Sequence, residues 1–277
     1  GFFIKTEIFQ KQIVAQGSTN YAAIRPQDIL QINIPLPTLQ QQRMVIKWIK
    51  ETIKPINRAN EIRKSSIKNI DGIIRSILNR DLSPSKHPCL PMKDVTQLIK
   101  RKADTSSQPQ ISSLGVKWWG KGAYVAEEKN ISELRADRFI AKENDVIYND
   151  MWARHGSVAI IPKQLDGFFA SAHFPTWELD LNKVYPPFFS WCFRSPWFWQ
   201  ECEKNAQGST GRNAITKQNF KNLVMPVPPL SEQHRIVAHL DCLQVMVEEV
   251  KRLQGETKRE MEVLVPAVLA KAFGASM

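Results

Sequence analysis

Ala15-Gln16-Gly17-Ser18-Thr19 recurs letter for letter as Ala206-Gln207-Gly208-Ser209-Thr210, 191 residues further on. In the same register Ala23-Ile24 meets Ala214-Ile215 and Pro35-Leu36-Pro37 meets Pro226-Val227-Pro228. Leu39 and Gln42 likewise meet Leu230 and Gln233. A five-residue identity in a chain of this length arises by chance only about a few times in a hundred, before the extensions are counted. One structural unit is therefore used twice, and the object it grips is expected to have matching twofold character.

Outward from these stretches, each copy reads as a polar loop, a short strand, a proline stop and a long helix. Ile32-Asn33-Ile34 and Leu223-Val224-Met225 precede Pro-x-Pro, where a missing N–H and a fixed φ end a strand. Thr38 and Ser231 stand at N-cap positions, with room for the second helix to begin a residue or two earlier. The helices are expected over 39–80 and 230–271, and some forty residues at 1.5 Å each make a rod of about 60 Å.

A seam of 3-4 spacing runs along both. In the second copy it takes Leu240, Leu243, Val247, Val250, Met261, Leu264 and Val268, with Gln254 and Thr257 between. The first copy places Ile49, Ile56, Ala59, Ile70, Ile73 and Ile77 at matching positions, around Arg63 and Ser66. Two seams, each polar in the middle, predict an antiparallel coiled coil in which the polar centres meet. Residues near Ile49 and Leu243 are expected side by side. Separate packing of two amphipathic helices on a globular body is the alternative. Pro55 and Pro266 are expected to kink or interrupt the helices.

Between the copies the pattern changes. Asp145–Tyr148, Ser157–Ile161 and Phe174–Leu179 read as strands, Pro187–Phe193 as a helix, and Ser195-Pro196 as a second helix start. Trp118, Trp119, Trp152, Trp177, Trp191, Trp197 and Trp199 supply material for a separate core. The fold class is thus α+β: an antiparallel-rich globular domain flanked by two long pairing helices. The parts are 1–34, the end of a first globular module; 35–84, the first helix; 85–225, a complete module; and 226–277, the second helix.

The chain has 277 residues, enough for one large or two ordinary domains, and a formal charge of +11. That charge favours a polyanionic partner, nucleic acid above all. No run of 18 apolar residues is present, no signal peptide is visible, and a cytoplasmic location is expected. The start at Gly1, inside a repeat, suggests truncation or a tag scar. Cys89, Cys192, Cys202 and Cys242 form no CxxC pair and, with 5 scattered histidines, spell no zinc site.

No catalytic constellation convinces. GxGxxG and GxxxxGK[ST] are missing, so nucleotide phosphates have no recognisable cradle. Val184-Tyr185-Pro186-Pro187-Phe188 lacks the Asn, Asp or Ser that an amino-methyltransferase needs before its prolines, and reads as a helix start. Glu127-Glu128-Lys129 and Glu256-Thr257-Lys258 are ordinary charged triplets. His234 and His239 are wrongly spaced to share a helix face.

Three stretches have the chemistry to meet DNA. Met151-Trp152-Ala153-Arg154-His155-Gly156 sets Arg154 and His155 beside a glycine that permits close approach, Arg being the usual bidentate partner of guanine. A plain surface turn is the other reading. Gly208-Ser209-Thr210-Gly211-Arg212-Asn213 offers Ser209, Thr210 and Arg212 to a phosphate, or serves as a connector. Lys117-Trp118-Trp119-Gly120-Lys121 is either a basic patch using Lys117 and Lys121 or a core tryptophan pair with snorkelling lysines. The first helix carries ten basic against three acidic residues and the second six against seven, so the first is expected to bear a basic stripe.

These motifs together resemble the specificity subunit of type I restriction–modification systems. The resemblance rests on the Gly-Ser-Thr loop and on the stretch from Pro226 to Val237, similar to that family's Pro-Leu-Pro-Pro-Leu-x-Glu-Gln-x-x-Ile-Val. Pro35–Val45 is a looser copy, with Thr38 and Gln41 departing from it. Asn144–Tyr148 and His155–Ile160 also look like the middle of the family's target recognition domains. The resemblance implies a non-catalytic DNA reader whose two recognition domains each take half of a split site, held apart by the paired helices. It further implies docked methyltransferase subunits that use S-adenosylmethionine, and restriction subunits that use ATP and Mg, with no cofactor or metal in this chain. With one complete recognition domain, the chain would read one half-site unless it forms a self-dimer. A coiled-coil scaffold or oligomerisation protein with a protein-binding insert is the alternative; a nuclease or methyltransferase is the third class.

Overall fold

A computed structural model describes residues 1–13, 26–103, 110–130, 137–206 and 214–274. The chain divides into two compact units, Gly1–Ile70 with Val245–Met277, and Asp71–Gln244. The division differs from the expected parts, because the ends of both long helices belong to the globular unit.

The helices in chain order are α1 (Glu7–Gln10), α2 (Pro26–Leu30), α3 (Leu39–Asp81), α4 (Pro186–Phe193), α5 (Pro196–Asn205), α6 (Lys217–Asn222) and α7 (Leu230–Gly274). The strands are β1 (Cys89–Pro91), β2 (Thr96–Ile99), β3 (Gln110–Val116), β4 (Ala123–Asn130), β5 (Phe139–Ile140), β6 (Val146–Tyr148), β7 (Val158–Ile160), β8 (Phe169–Ala170), β9 (Thr176–Leu179) and β10 (Val224–Pro226).

In the globular unit the strands form an antiparallel β2-β9-β6-β7 sheet, a β4-β3-β8-β5 sheet and a β1-β10 ladder. Only the β3–β8 contact is parallel among the described pairings. Strand alternation places successive side chains of β6 on opposite faces, and both faces are covered. Val146 and Tyr148 enter the main core, whereas Ile147 joins a second cluster with Leu114, Val116, Ala159 and Ile161.

The main core is built of Phe188, Phe189, Phe193, Phe198, Phe220, Tyr148 and Trp177, all fully buried. Each such ring contributes roughly 1.5–3 kcal/mol by leaving water. The expected tryptophan core is therefore half right. Trp177 and Trp191 are buried, but Trp118, Trp119 and Trp152 stand 38–45% exposed.

Both helix ends close onto this core. Leu78 and Leu82 of the α3 end and Ile236, Val237 and Leu240 of α7 are buried there, with Ile77 and Leu243 packed alongside. Asp81 lies 4.0 Å from His239, so the C-terminal end of α3 meets the beginning of α7, an antiparallel arrangement. Trp191 Nε1 donates to Asp241 at 2.9 Å, Arg194 lies over the Trp191 ring and bonds Gln244, and Tyr185 stacks on His234 at 3.8 Å.

The repeated glutamines explain one shared motif. Gln42 Nε2 donates to Pro37 O at 2.8 Å, and its counterpart Gln233 donates to Pro228 O at 2.7 Å. Each amide thus clasps the Pro-x-Pro turn to the first turn of its helix. Gln233, fully buried, also donates to Lys183 O and accepts from Tyr185 N. Thr38 and Gln41 form a reciprocal capping box in the first copy.

In the other unit the long helices again run together. Ile49, Met261 and Leu269 are buried, and Phe3 packs edge-on against Phe273 at 5.4 Å. Arg63 Nε and Gln254 Oε1, from the two polar centres, are both shielded from solvent without a hydrogen-bond partner.

Several expectations are corrected. Ile73, Val250 and Leu264 are 57%, 37% and 45% exposed and do not lie in the seam, and Ala59 is exposed too. Ile74, Val265 and Leu269 take over, one or a few residues on, because a straight helix of 3.6 residues per turn drifts against a seam drawn at 3.5. Ile56, Ile70, Ile77, Val247 and Val268 are half-buried and Leu240 is buried. Ile49 and Leu243 belong to different units, as antiparallel pairing sets Leu243 beside the far end of α3. Pro55 and Pro266 interrupt neither helix; both are exposed, where a carbonyl freed by proline can turn to water. Residues 32–34 form no strand, and no strand among the described residues pairs with them. Gln12 supplies the pairing instead: its side-chain amide accepts from Asn33 N at 2.7 Å and donates to Asn33 O at 3.2 Å.

Candidate nucleic-acid interface

Two of the three stretches singled out in the sequence lie together on the globular unit. The β3–β4 hairpin turn, 117–122, follows a bulge at Ser113/Leu114 and is closed by Lys117 N donating to Gly122 O at 3.0 Å. The 151–157 stretch joins β6 to β7 through a short helical turn, Ala153–His155.

Three bonds lock one to the other. Trp119 N donates to His155 O at 2.9 Å, Gly120 N to Gly156 O at 2.8 Å, and buried Ser157 Oγ to Val116 O at 2.9 Å. Both glycines have positive φ, 63° at Gly120 and 66° at Gly156. A Cβ on Gly120 would stand 2.3 Å from Phe193 O, and one on Gly156 2.5 Å from the Trp199 ring. Only glycine lets these turns lie flat on α4 and α5. Trp119 itself has φ 64°, an outlier for so bulky a side chain. Trp199 anchors the floor, donating Nε1 to Phe193 O at 2.8 Å and meeting Trp119 edge-on at 4.8 Å.

On this base stands a group of rings. Trp118 and Trp152 are 5.2 Å apart and inclined by 34°. His155 lies 5.1 Å from Trp118 and 5.8 Å from Trp152. Trp118, Trp152 and Met151 are 45%, 39% and 48% exposed, an apolar surface that water does not favour. Cations border it. Lys117 and Lys121 are exposed, Lys117 Nζ sits 5.6 Å over the Tyr124 ring, and Arg154 Nε donates to His155 Nε2 at 3.1 Å. That bond assigns the ring proton to Nδ1. Burial first, then the Arg154 charge, holds the imidazole below the ordinary histidine range, against an opposing pull from Glu203.

The expected residues Arg154, His155, Lys117 and Lys121 are thus brought onto two interlocked turns. The sequence left patch and core as alternatives for Lys117–Lys121; Trp118 faces outward while Trp119 packs on Trp199. Ser209, Thr210 and Arg212 lie outside the described residues. Sequence reading missed Trp199 as the floor and Gly120 as the closest approach. The Trp-Trp-Gly order was the available signal, because a glycine after two large rings marks a turn that cannot carry a third.

Among the described residues no group of three or more His, Cys, Asp or Glu side chains could hold a metal ion. No helix of the described residues is long and apolar enough to cross a membrane.

A small sheet domain, closed by antiparallel helices, presents a rigid basic and aromatic surface of the kind a recognition module offers. Residues 90–254 match the family described as the type I restriction modification DNA specificity domain, and by that match, over more than half its length, the chain belongs to the family. The curated specificity subunit of the type I restriction enzyme StySPI from Salmonella potsdam is 21% identical over 299 residues, covering 98% of this chain. The chain spans 63% of that relative's length. Its fold is similar to the HsdS subunit from Thermoanaerobacter tengcongensis, with a TM-score of 0.62, 21% identity, 100% of this chain and 69% of that one. A second solved chain, from work on complex assembly and conformational transition of the type I R-M system, gives a TM-score of 0.73 at 22% identity, covering 98% of this chain and 69% of that one.

Proposed function

We propose that this chain reads one half of a bipartite DNA sequence and catalyses no reaction itself. The observation that carries the reading is the pair of interlocked turns, which present Lys117, Lys121 and Arg154 around one rigid surface. Lysines there suit phosphates and Arg154 suits a base edge in the groove. Methyltransferase subunits dock on the paired helices, where Ile62, Val245, Met246, Leu253 and Val263 are exposed apolar side chains. A restriction subunit joins through the complex. S-adenosylmethionine, ATP and Mg then serve those partners, in the cytoplasm, and double-stranded DNA is the shared substrate.

The test is binding of the chain, with its methyltransferase subunits, to the site revealed by methylome sequencing with and without the gene. Binding should weaken with salt at a slope of about −0.9 per phosphate contacted. A gene deletion that leaves every methylated motif in place, or binding indifferent to both Arg154→Ala and Lys117→Ala, would overturn it.

A further inference from the structure

The exposed rings ask for more than a phosphate contact. The face of a duplex offers phosphates, sugars and base edges whose one apolar feature is the small thymine methyl, whereas the broad π-faces of its bases are stacked inside. Lys117, Lys121 and Arg154 account for the outer chemistry. They leave the exposed Met151, Trp152 and Trp118 with no surface of like breadth to meet on an intact duplex.

The geometry points to an apolar wedge: we propose that Trp118 and Trp152, with Met151 beside them, enter one base step of the bound duplex and unstack it. The proposal rests on the DNA reading above and names how that surface engages its substrate. Two rings inclined at 34° with centroids 5.2 Å apart support one another and still remain 45% and 39% exposed. His155 backs both rings. The turns cannot yield. Gly120 and Gly156 rest against Phe193 and Trp199 with no space for a methyl group, and Trp119 is held in the left-handed region. Such strain persists only where the surrounding fold over-determines it, and here it holds the backbone path beside Trp118. A rigid apolar element rimmed by cations fits a target whose apolar faces lie within a shell of anions. Side chains inserted in this way kink the helix, and the cost of the kink depends on which bases are unstacked. The wedge therefore contributes to sequence choice at a step that no polar side chain reads.

The experiment uses the chain in complex with its methyltransferase subunits and a synthetic duplex carrying the methylome-defined site. 2-Aminopurine is placed at successive positions of the half-site, and dyes at the duplex ends report bending by energy transfer. The wild-type complex should raise the emission at one step and shorten the end-to-end distance. Trp118→Ala and Trp152→Ala should abolish both signals and weaken binding by about 5- to 150-fold, the range for loss of one base–aromatic stack. Trp152→Phe should keep most of both. Matched thermal melts exclude misfolding, and the exposure of the two side chains makes them tolerant sites. A wild-type complex that binds tightly with no emission rise at any position would overturn the wedge. So would a rise that persists in both alanine variants, which belongs to a base drawn out of the stack by the methyltransferase subunits. In those cases Lys117→Ala and Arg154→Ala still weaken binding and the DNA reading stands; wild-type protein that binds no duplex removes both.

Discussion

Single atoms decide the shape of the proposed interface. At Gly120 a methyl group would meet the Phe193 carbonyl at 2.3 Å, whereas at Gly122, with φ 95°, it would meet nothing within 4 Å. Gly120→Ala is therefore expected to cost about 2–5 kcal/mol, strain plus overlap, and Gly122→Ala about 1–2 kcal/mol of strain alone. Urea denaturation of the two variants checks the difference, and equal midpoints would refute it. His155 provides a second test. Its imidazole titrates lower in the folded protein than the ordinary value of about 6.5. Its stabilising share is complete above that value. As pH falls the unfolded chain binds the proton first, so stability declines until the folded value has also been passed. The facing groups are Arg154 on its own turn and Glu203 on α5. The urea midpoint should drop more between pH 7.5 and 5.5 in wild type than in His155→Gln, and parallel curves would count against the assignment. Little of this scale was legible beforehand: no sequence pattern announces a tryptophan with positive φ, because the contacts that enforce it come from α4 and α5, some 75 residues away.

Elements were far more legible, since they follow from periodicity. The second Pro-x-Pro stop, both long helices, β6, β7 and β9 all lie where alternation and 3-4 spacing put them. What failed had physical causes. The strand expected at 32–34 has the right letters but no partner strand among the described residues, and a strand's identity is its pairing. Gln12 makes do with a single amide. The seam slipped where it was extended by register alone, at Ala59 and Val250 before the polar centres as well as beyond them. Ile73 and Leu264, equivalent in the repeat, are both exposed, and so the repeat preserved even the outward face. Ile73→Ser and Leu264→Ser should change thermal stability by no more than about 0.5 kcal/mol. Ile49→Ser and Leu269→Ser should each cost about 2–5 kcal/mol, because they empty buried sites. Circular dichroism melts of the four variants distinguish the sets, and a large loss at Ile73 would return it to the seam.

For the whole molecule, charge and repetition carry the argument, and both are readable from letters alone. Lysine contacts to phosphate act on every sequence alike, whereas a guanidinium on a base edge acts on one. Lys117→Ala should weaken binding to all duplexes about equally and reduce the salt slope by about 1, while Arg154→Ala should relax the choice of base at one position at a cost of about 1–3 kcal/mol. Competition binding against single-substitution duplexes separates them; a uniform loss in Arg154→Ala would demote it to a phosphate contact. Which base is chosen was not legible, since it depends on turns whose side chains are set by tertiary packing.

Gln233 has a consequence for how the globular unit comes apart. One buried amide holds the main chain at Lys183 and Tyr185 to the Pro228 carbonyl just ahead of α7. Neither the sheet region nor the start of that helix can fray without surrendering the same three bonds, so the two should open as a single cooperative step. The Tyr185 amide should exchange with deuterium only through global unfolding. In Gln233→Ala its protection should collapse to that of a surface loop, while the Phe220 amide, bonded to Thr216 O, keeps its slow rate relative to the remaining core.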